Sequence, residues 1–375
     1  FYFNSLFYLP IFEKSLINSG AIYFLIFSNI FLLQKVFNKL KNKKYDFILL
    51  SLFSLLFINT IFYRLAEHGT DRSALILIFI LAIYYLESIN RKLSKINFKN
   101  YYQKILLTIL LIISLKSFYL IYIIFLLTLF FEFRKILFKE NFYKKIFSQR
   151  VSYYFLIGST IFIFTTFSNS GCLIYPASFT CMESFSWSIP KKEVIEMKTW
   201  YELWSKAGAS PTYRVDDVES YLSGLNWFPN WLQNHFFNKI SDFLLSLFLI
   251  VIISSIFLVN FKKIRSKKNN FYLFYFAIVL LLVEWFLNHP ALRYGGFTLI
   301  ALSIFIPLYL ANDVYNKSCS VYSILISFFE LVFMSKISFS IIKSASPNIN
   351  PSFKSGLQNT ILSFINFLTN VLISL

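Results

Sequence analysis

Residues 105–131 read ILLTILLIISLKSFYLIYIIFLLTLFF, an apolar run whose one charged residue is Lys116. A membrane-spanning helix needs about 20 apolar residues, so this run is too long for one span and short for two. Basic clusters flank it on both sides, and basic loops stay on the cytoplasmic face. The chain must then cross the membrane an even number of times between them. We therefore predict two short helices that meet near Lys116; one long tilted helix, which would invert everything downstream, is the alternative.

The rest of the chain repeats this apolar pattern. Of 375 residues, 57% are hydrophobic and 14% are charged, whereas a soluble domain carries about 25% charged residues. Apolar runs of about 16–20 residues recur, which is typical of an all-α, polytopic transmembrane helix bundle. The net charge of +18 comes from lysines that lie between these runs. We read them as topology signals and contacts with membrane lipids, and we expect no nucleic-acid partner.

The basic loops predict the topology. Most lysines and arginines fall in four loops, at 35–44, 91–104, 134–150 and 262–268, which the positive-inside rule places in the cytoplasm. The result is about ten spans, including the short hairpin: 19–36, 46–63, 73–90, two within 105–131, 151–168, 241–260, 271–288, 297–312 and 319–335. The predicted regions are N-terminal transmembrane helices (1–168), one long outer loop with amphipathic helices (169–240), C-terminal transmembrane helices (241–335) and a tail or interfacial helix (336–375). Whether 357–375 spans the membrane stays open.

The long outer loop holds two cysteines, Cys172 and Cys181, nine residues apart. Outside the cytoplasm such a pair can be oxidised, and closing so short a loop contributes about 2–3 kcal/mol. We expect a disulfide, with two unpaired thiols as the alternative.

Farther along this loop, SIPKKEVIEMKTWYELWSKAGA (188–209) has apolar residues at helical spacing, including Trp200 and Trp204. Ser188 can cap this helix, Pro190 fits its first turn and Gly208 can end it. It is either a lid at the membrane surface or one wall of an acceptor site, because exposed aromatic rings suit sugar faces and lipid tails.

A charged stretch, EHGTDRSA, occupies residues 67–74 at the same outer face. It contains Glu67 and Asp71, the candidate catalytic carboxylates, and Arg72, a candidate substrate-binding residue. The alternative is structural. Thr70 or Asp71 would cap the helix that starts near Ala74, and Glu67 would form a surface ion pair of small value.

A second charged stretch, VEWFLNHPALRYGGF (283–297), lies across the same face. Glu284 falls about one turn inside the predicted span, where a carboxylate usually faces a cavity or a partner. His289 is a further catalytic candidate, and Arg293 and Tyr294 are candidates for substrate binding. An unpaired Arg293 beside Gly295–Gly296 at a helix start could hold a lipid-linked phosphate. Alternatively, Arg293 pairs with Glu284 or Asp71 and joins two hairpins.

Five segments together resemble a group of bacterial multi-spanning envelope proteins: FNSLFYLPIFEKSLINSGAIYFLI, AEHGTDRSALILIF, SGCLIYPASFTC, WYELWSKAGASP and HPALRYGGF. The resemblance covers residues 1 to about 312, and the layout is similar to GT-C type glycosyltransferases and O-antigen polymerases. It implies a multi-pass protein of the bacterial inner membrane, with 169–240 in the periplasm. Similar proteins begin upstream with an acidic outer loop that carries the catalytic carboxylate in GT-C enzymes. We therefore expect this sequence to be N-terminally incomplete, and Glu67 or Asp71 to be only a supporting residue of that base.

These features lead to one main functional expectation. A carboxylate can act as base for an acceptor hydroxyl and a cation can stabilise a departing phosphate, which is what glycosyl transfer from a polyprenyl-phosphate-linked sugar needs. The alternatives are a lipid-linked substrate transporter or flippase, and a non-catalytic membrane scaffold. No phosphate-binding glycine loop, nucleophile elbow or metal-ligand spacing is present in the sequence, so we expect no cofactor and no metal.

Overall fold

In the computed structural model, the residues described are 19–41, 48–62, 70–90, 95–138, 150–208, 215–258 and 271–313. Their regular elements are helical, which suits an apolar chain because a helix satisfies its backbone hydrogen bonds internally. The α-helices are α1 (Ser19–Lys41), α2 (Ile48–Ile61), α3 (Asp71–Asn90), α4 (Lys95–Leu115), α5 (Ile124–Phe138), α6 (Arg150–Ser170), α7 (Lys191–Lys206), α8 (Val218–Leu222), α9 (Phe228–Trp231), α10 (Ser241–Leu258), α11 (Tyr272–Asn288) and α12 (Gly296–Asp313).

The chain divides into two compact units, of which the first comprises Phe1–Gly69 and Asn316–Leu375. Its described helices, α1 and α2, form an antiparallel pair. Buried Asn29 and Asn59 exchange amide hydrogen bonds of 3.2 and 2.8 Å between the two helices. Because unpaired amides are costly in an apolar environment, this reciprocal pair fixes how α1 lies along α2.

The second unit, Thr70–Tyr315, contains the remaining described helices. Its most buried helix is α3, in which nearly all side chains are buried, whereas Ser170 is the one buried residue of α6. Three aromatic rings hold α3 between α5 and α11: Phe274 stacks on Tyr85 at 4.2 Å and contacts Phe125 at 4.9 Å, measured between ring centroids. The core of this unit therefore lies around α3, and α6 lies at its periphery.

The predicted interruption at Lys116 is confirmed. Helix α4 ends at Leu115, and a 3₁₀ helix, Ser117–Ile123, leads directly into α5. Phe98 of α4 contacts Phe133 of α5, and Tyr102 contacts Phe130. These pairs show that the two helices run antiparallel, with Lys116 at the turn.

Within the described residues, five helical stretches are long and apolar enough to cross a membrane: Gly20–Asn38, Asp71–Ile89, Ser117–Arg134, Arg150–Ser170 and Phe228–Ile252. Three shorter apolar helices accompany them: Ile48–Ile61, Tyr272–Asn288 and Gly296–Leu310. The all-helical fold is confirmed, while the count of about ten spans stays a prediction. The predicted span 319–335 and the tail 336–375 lie outside the described residues.

The last part of the predicted outer loop, 169–240, is helical and continues into the next helix. Helix α9, a π-helix (Leu232–Ile240) and α10 follow one another without a break from Phe228. Trp227 and Trp231 are buried against Phe286 of α11, at ring-centroid distances of 5.4 Å. The two tryptophans therefore pack the start of this helical segment against α11.

Candidate functional site

Asp71 is the first residue of α3, and it lies at one end of the second unit. It is 2% exposed, and the carbonyl of Thr70, just before it, accepts the backbone N–H of Ala74 at 3.1 Å. A side chain at a helix N-terminus lies at the positive end of the helix dipole.

Two cations from distant parts of the chain share this carboxylate. The Lys116 ammonium, at the α4–α5 turn, donates to Oδ1 in a short hydrogen bond. The Arg293 Nε–H, from the segment between α11 and α12, donates to Oδ2 at 2.7 Å. Burial disfavours the Arg293 cation, but the hydrogen bond and charge of Asp71 outweigh this effect and raise the pKa of Arg293. We call these three residues the Asp71 cluster.

Aromatic rings surround the two cations. The Lys116 ammonium lies 4.8 Å from the centroid of the Tyr294 ring, a cation–π distance. Burial raises the pKa of Tyr294 to about 12, so its hydroxyl stays protonated at neutral pH. The Tyr294 ring in turn contacts Trp204 at 5.8 Å and Tyr201 at 6.4 Å. Helix α7 therefore lies beside the Asp71 cluster with its aromatic side chains turned towards it.

The ends of α7 follow the predicted sequence signals only in part. Gly208, at φ +88°, ends the helix as expected. At the start, however, Pro190 is the residue before the first turn, and the Glu183 carboxylate accepts the Lys191 backbone N–H at 2.6 Å. Ser188 was the predicted cap, but its hydroxyl donates to the Phe185 carbonyl. On the predicted apolar face Val194 is buried, whereas Met197 and Trp200 are 39% and 54% exposed.

A short disulfide-closed loop joins α6 to the segment before α7. Cys172 and Cys181 are bonded, with an S–S distance of 2.07 Å. Within that loop, the Tyr175 carbonyl accepts a hydrogen bond of 2.6 Å from the Ser117 hydroxyl, next to Lys116. The loop thus contacts the same turn that supplies Lys116 to Asp71.

His289 lies beside the cluster, after the last turn of α11. Its ring contacts Phe118 at 5.0 Å and Tyr294 at 5.7 Å. Burial lowers the pKa of His289 to about 4; the Glu202 charge opposes this shift and several lysines add to it. The imidazole is therefore neutral at pH 7, and its Nδ1 has no hydrogen-bond partner among the described residues.

Of the remaining predicted site residues, Glu67 lies outside the described residues, and the other three lie on α3, α7 and α11. Arg72 is half-buried in the first turn of α3. Glu284 accepts a hydrogen bond from Asn288 at 3.1 Å. Of the two carboxylates considered as partners of Arg293, it is Asp71 that bonds this residue. Trp200 stacks on Trp204 at 6.5 Å and is mostly exposed.

Two residues at the site were not singled out from the sequence. Lys116 was used only to locate a turn, although a lone lysine inside an apolar run of this length already signals a special environment. Glu202 is a carboxylate whose charge acts on His289, and it also pairs with the buried Lys206 at 2.6 Å. Nothing in the sequence around Glu202 indicated that its charge would act on His289.

Nothing in the described part of the chain gathers three or more histidine, cysteine or acidic residues as a metal site would require. The groups that converge at the Asp71 cluster are instead two cations, one shared carboxylate and several aromatic rings. Such a set is suited to an anion that carries an apolar or ring-shaped group.

Comparison with known proteins adds a family. A family model described as a domain of unknown function (DUF8201) matches residues 1–300 of the 375 in the chain, so the chain belongs to this family. No curated protein and no solved structure matches it.

Proposed function

We propose that this member of the DUF8201 family is a glycosyltransferase or polymerase of the bacterial inner membrane, acting on polyprenyl-linked sugars in cell-surface polysaccharide assembly. The observation that supports this proposal is the Asp71 cluster. Lys116 and Arg293 share one buried carboxylate, so the cluster keeps a net positive charge. The two cations are 29% and 44% exposed, and they remain accessible to an anion.

The cluster fits the leaving group of such a reaction. When a sugar is transferred from a polyprenyl phosphate, negative charge grows on the departing phosphate oxygen, and positioned cations stabilise that charge. In the proposal Lys116 and Arg293 bind this phosphate. Asp71, whose two oxygens are both engaged, acts as a positioning residue that aims the cations. In this proposal Asp71 is therefore a supporting residue and not the base for the acceptor hydroxyl.

His289 is the proposed base for the acceptor hydroxyl. Its neutral imidazole can accept a proton, and a phosphate bound close by would raise its pKa towards the range in which a base is effective. Glu202 acts on His289 in the same direction. The rings of Tyr201, Trp204 and Tyr294 supply flat apolar surfaces against which a sugar ring can stack.

A transporter of a lipid-linked substrate is the second candidate. The observation that favours it is the helix break at Lys116, because transporters often place charged ligands at interrupted helices. Both functions would use the same cations, but only the transferase forms a new glycosidic bond. A non-catalytic scaffold, by contrast, would tolerate loss of the cluster.

The test is transfer activity of the full chain in lipid nanodiscs, with polyprenyl-phosphate-linked sugars and polyprenyl-diphosphate-linked oligosaccharides as substrates. Mass spectrometry measures whether the lipid-linked glycans lengthen. We expect Lys116→Ala and Arg293→Ala to lower the rate by about 10²–10³-fold, the effect of losing one charge-stabilising contact. Lys192→Ala is the control, because Lys192 lies on α7 with 88% of its side chain exposed.

Two outcomes would contradict the transferase proposal. Undiminished product from both cluster variants would show that the cluster takes no part in transfer. If the chain in lipid vesicles moves a fluorescently labelled lipid-linked glycan between the two leaflets without forming any new bond, the protein is instead a transporter.

A further inference from the structure

Tyr119 and Tyr122 lie next to the Asp71 cluster, in the 3₁₀ helix that follows Lys116. Residues three apart in a 3₁₀ helix lie on the same face, and the two rings contact each other at 5.7 Å. Both are fully buried, with 0% and 1% of their surface exposed. The pair therefore places two buried hydroxyl groups on one face of this helix.

Neither hydroxyl has a hydrogen-bond partner among the described residues. The Tyr119 hydroxyl interacts electrostatically with both Asp71 and Arg293, so it lies near the cluster. The Tyr122 Oη would lie 3.3 Å from a Cβ atom at Gly295, so it lies against the turn between Arg293 and α12. Both hydroxyls are thus close to the segment that carries Arg293.

Leaving a buried hydroxyl without a partner costs free energy, and phenylalanine would avoid this cost. Phenylalanine is accepted at neighbouring positions of the same segment, at Phe118 and Phe125. Packing alone therefore does not explain a tyrosine at both 119 and 122. A ligand that accepts hydrogen bonds from them does explain it.

We infer that the hydroxyls of Tyr119 and Tyr122 bind phosphate oxygens and form the inner half of a site whose outer half is Lys116 and Arg293. The two cations and the two phenol hydroxyls can all donate, and the carboxylate of Asp71 is already engaged by both cations. A site lined by donors and carrying positive charge takes an acceptor-rich anion. The inference rests on the proposed function for the source of the phosphate, a polyprenyl phosphate, but phosphate binding itself does not require transfer activity.

The site would also explain the position of His289. Its buried Nδ1 has no partner among the described residues, and its ring contacts Phe118, the residue before Tyr119. A phosphate held by the two tyrosines would therefore lie near the imidazole of His289.

The experiment measures binding and stability together, for the full chain in detergent. Isothermal titration follows two probes, inorganic pyrophosphate and a short-chain polyprenyl monophosphate, and thermal unfolding is recorded without probe. We expect Tyr119→Phe and Tyr122→Phe each to weaken binding about tenfold or more, as for other hydrogen bonds to a charged group. Without probe their unfolding temperature should be unchanged or higher, because the substitution removes a buried hydroxyl. Tyr85→Phe, at a buried tyrosine of α3 that stacks on Phe274, is the control and should bind as wild type.

The outcomes separate the possibilities. Tighter binding of the polyprenyl phosphate than of pyrophosphate, with both weakened in the variants, supports a lipid-linked ligand; equal binding supports a free anion at the same site. Lower unfolding temperatures with unchanged dissociation constants would show that the hydroxyls are structural, and would overturn the inference. So would a wild-type chain that binds neither probe. Binding that depends on the tyrosines in a chain without transfer activity would refute the transferase proposal alone.

Discussion

Asp71 is much more buried than either of its partners: 3% of its side chain is exposed, against 29% for Lys116 and 44% for Arg293. The carboxylate has lost nearly all its water, while each cation keeps part of its hydration. A buried charge without a partner is costly, whereas a half-exposed cation can turn towards water. The cluster should therefore respond very differently to loss of its anion and to loss of its cations.

This asymmetry predicts an order of stabilities. The double variant Lys116→Ala/Arg293→Ala leaves a buried carboxylate unpaired and should lower the free energy of unfolding by about 3–5 kcal/mol. Asp71→Asn keeps the shape and leaves the cations to solvent, so we expect a loss of about 1–2 kcal/mol. Chemical unfolding in detergent measures both, with Lys192→Ala as an exposed control. A larger loss for Asp71→Asn than for the double variant would contradict this account.

His289 gives a prediction for pH. Its pKa falls from 6.5 to about 4 on folding, first because of burial, with Lys206, Lys116 and Lys198 lowering it further and Glu202 opposing them. The unfolded chain then binds a proton that the folded one does not between these values, so stability is full above pH 6.5 and falls as pH drops towards 4. His289 alone contributes at most about 1.4 kcal/mol per pH unit to this slope. His289→Gln should lower the slope by up to this amount; an unchanged slope would show that other groups cause it.

At the scale of helices, the turn between α11 and α12 shows why two glycines, Gly295 and Gly296, occur there. Gly295–Gly296 suggested close approach of an anion to the backbone. In the structure, a Cβ at Gly296 would lie 2.3 Å from Cζ2 of the Trp285 indole, and the indole N–H donates to the Ala291 carbonyl at 2.8 Å. Gly296 thus allows Trp285 to hold this turn in place, and the turn positions Arg293.

Gly296→Ala should therefore be costly. A rigid indole that is fixed by its own hydrogen bond cannot move aside, so we expect a loss of about 1–3 kcal/mol, as for other overpacked positions, together with weaker anion binding. Gly158→Ala in α6 is the matched control: its Cβ would lie 2.6 Å from Cδ2 of Leu110, a flexible side-chain end. That variant should stay within about 1 kcal/mol of wild type. Equal losses in the two variants would remove the special role of Trp285.

The sequence was informative about helices and less so about pairing between them. Apolar length and basic flanks predicted the hairpin at Lys116 because both are local properties. The bond between Arg293 and Asp71 joins residues 222 positions apart, and nothing in either local sequence selects Asp71 over Glu284 as the partner. The same reason explains why Lys116 and Glu202 were missed. Their roles depend on which helices become neighbours, a property of packing that the pattern of apolar residues does not encode.

For the second unit as a whole, the helix directions predict which parts of the chain lie at the same end of the helices. Helices α3 and α4 are antiparallel, since Asp71 bonds Lys116 and the Lys104 ammonium lies 5.5 Å from the Tyr84 ring centroid. Helices α11 and α12 are antiparallel as well, because Trp285 meets Gly296 and the Tyr275 hydroxyl contacts the Ser303 carbonyl at 3.5 Å. The Asp71 cluster thus lies at one end of these helices, and the basic segments follow or precede their opposite ends.

Reporter fusions test whether those two ends face opposite sides of a membrane. A phosphatase that is active only outside the cytoplasm should be active when fused at about residues 70, 200 and 292, next to the Asp71 cluster and α7. It should be inactive at about 98, 142 and 266, in the basic segments, because the positive-inside rule keeps these in the cytoplasm. A reporter active only in the cytoplasm should give the reverse pattern and serves as the control for expression. Activity at 142 together with inactivity at 200 would mean that α6 crosses in the other direction. In that case the disulfide loop and α7 could not share a side with Asp71, and the site assembled from them would fail.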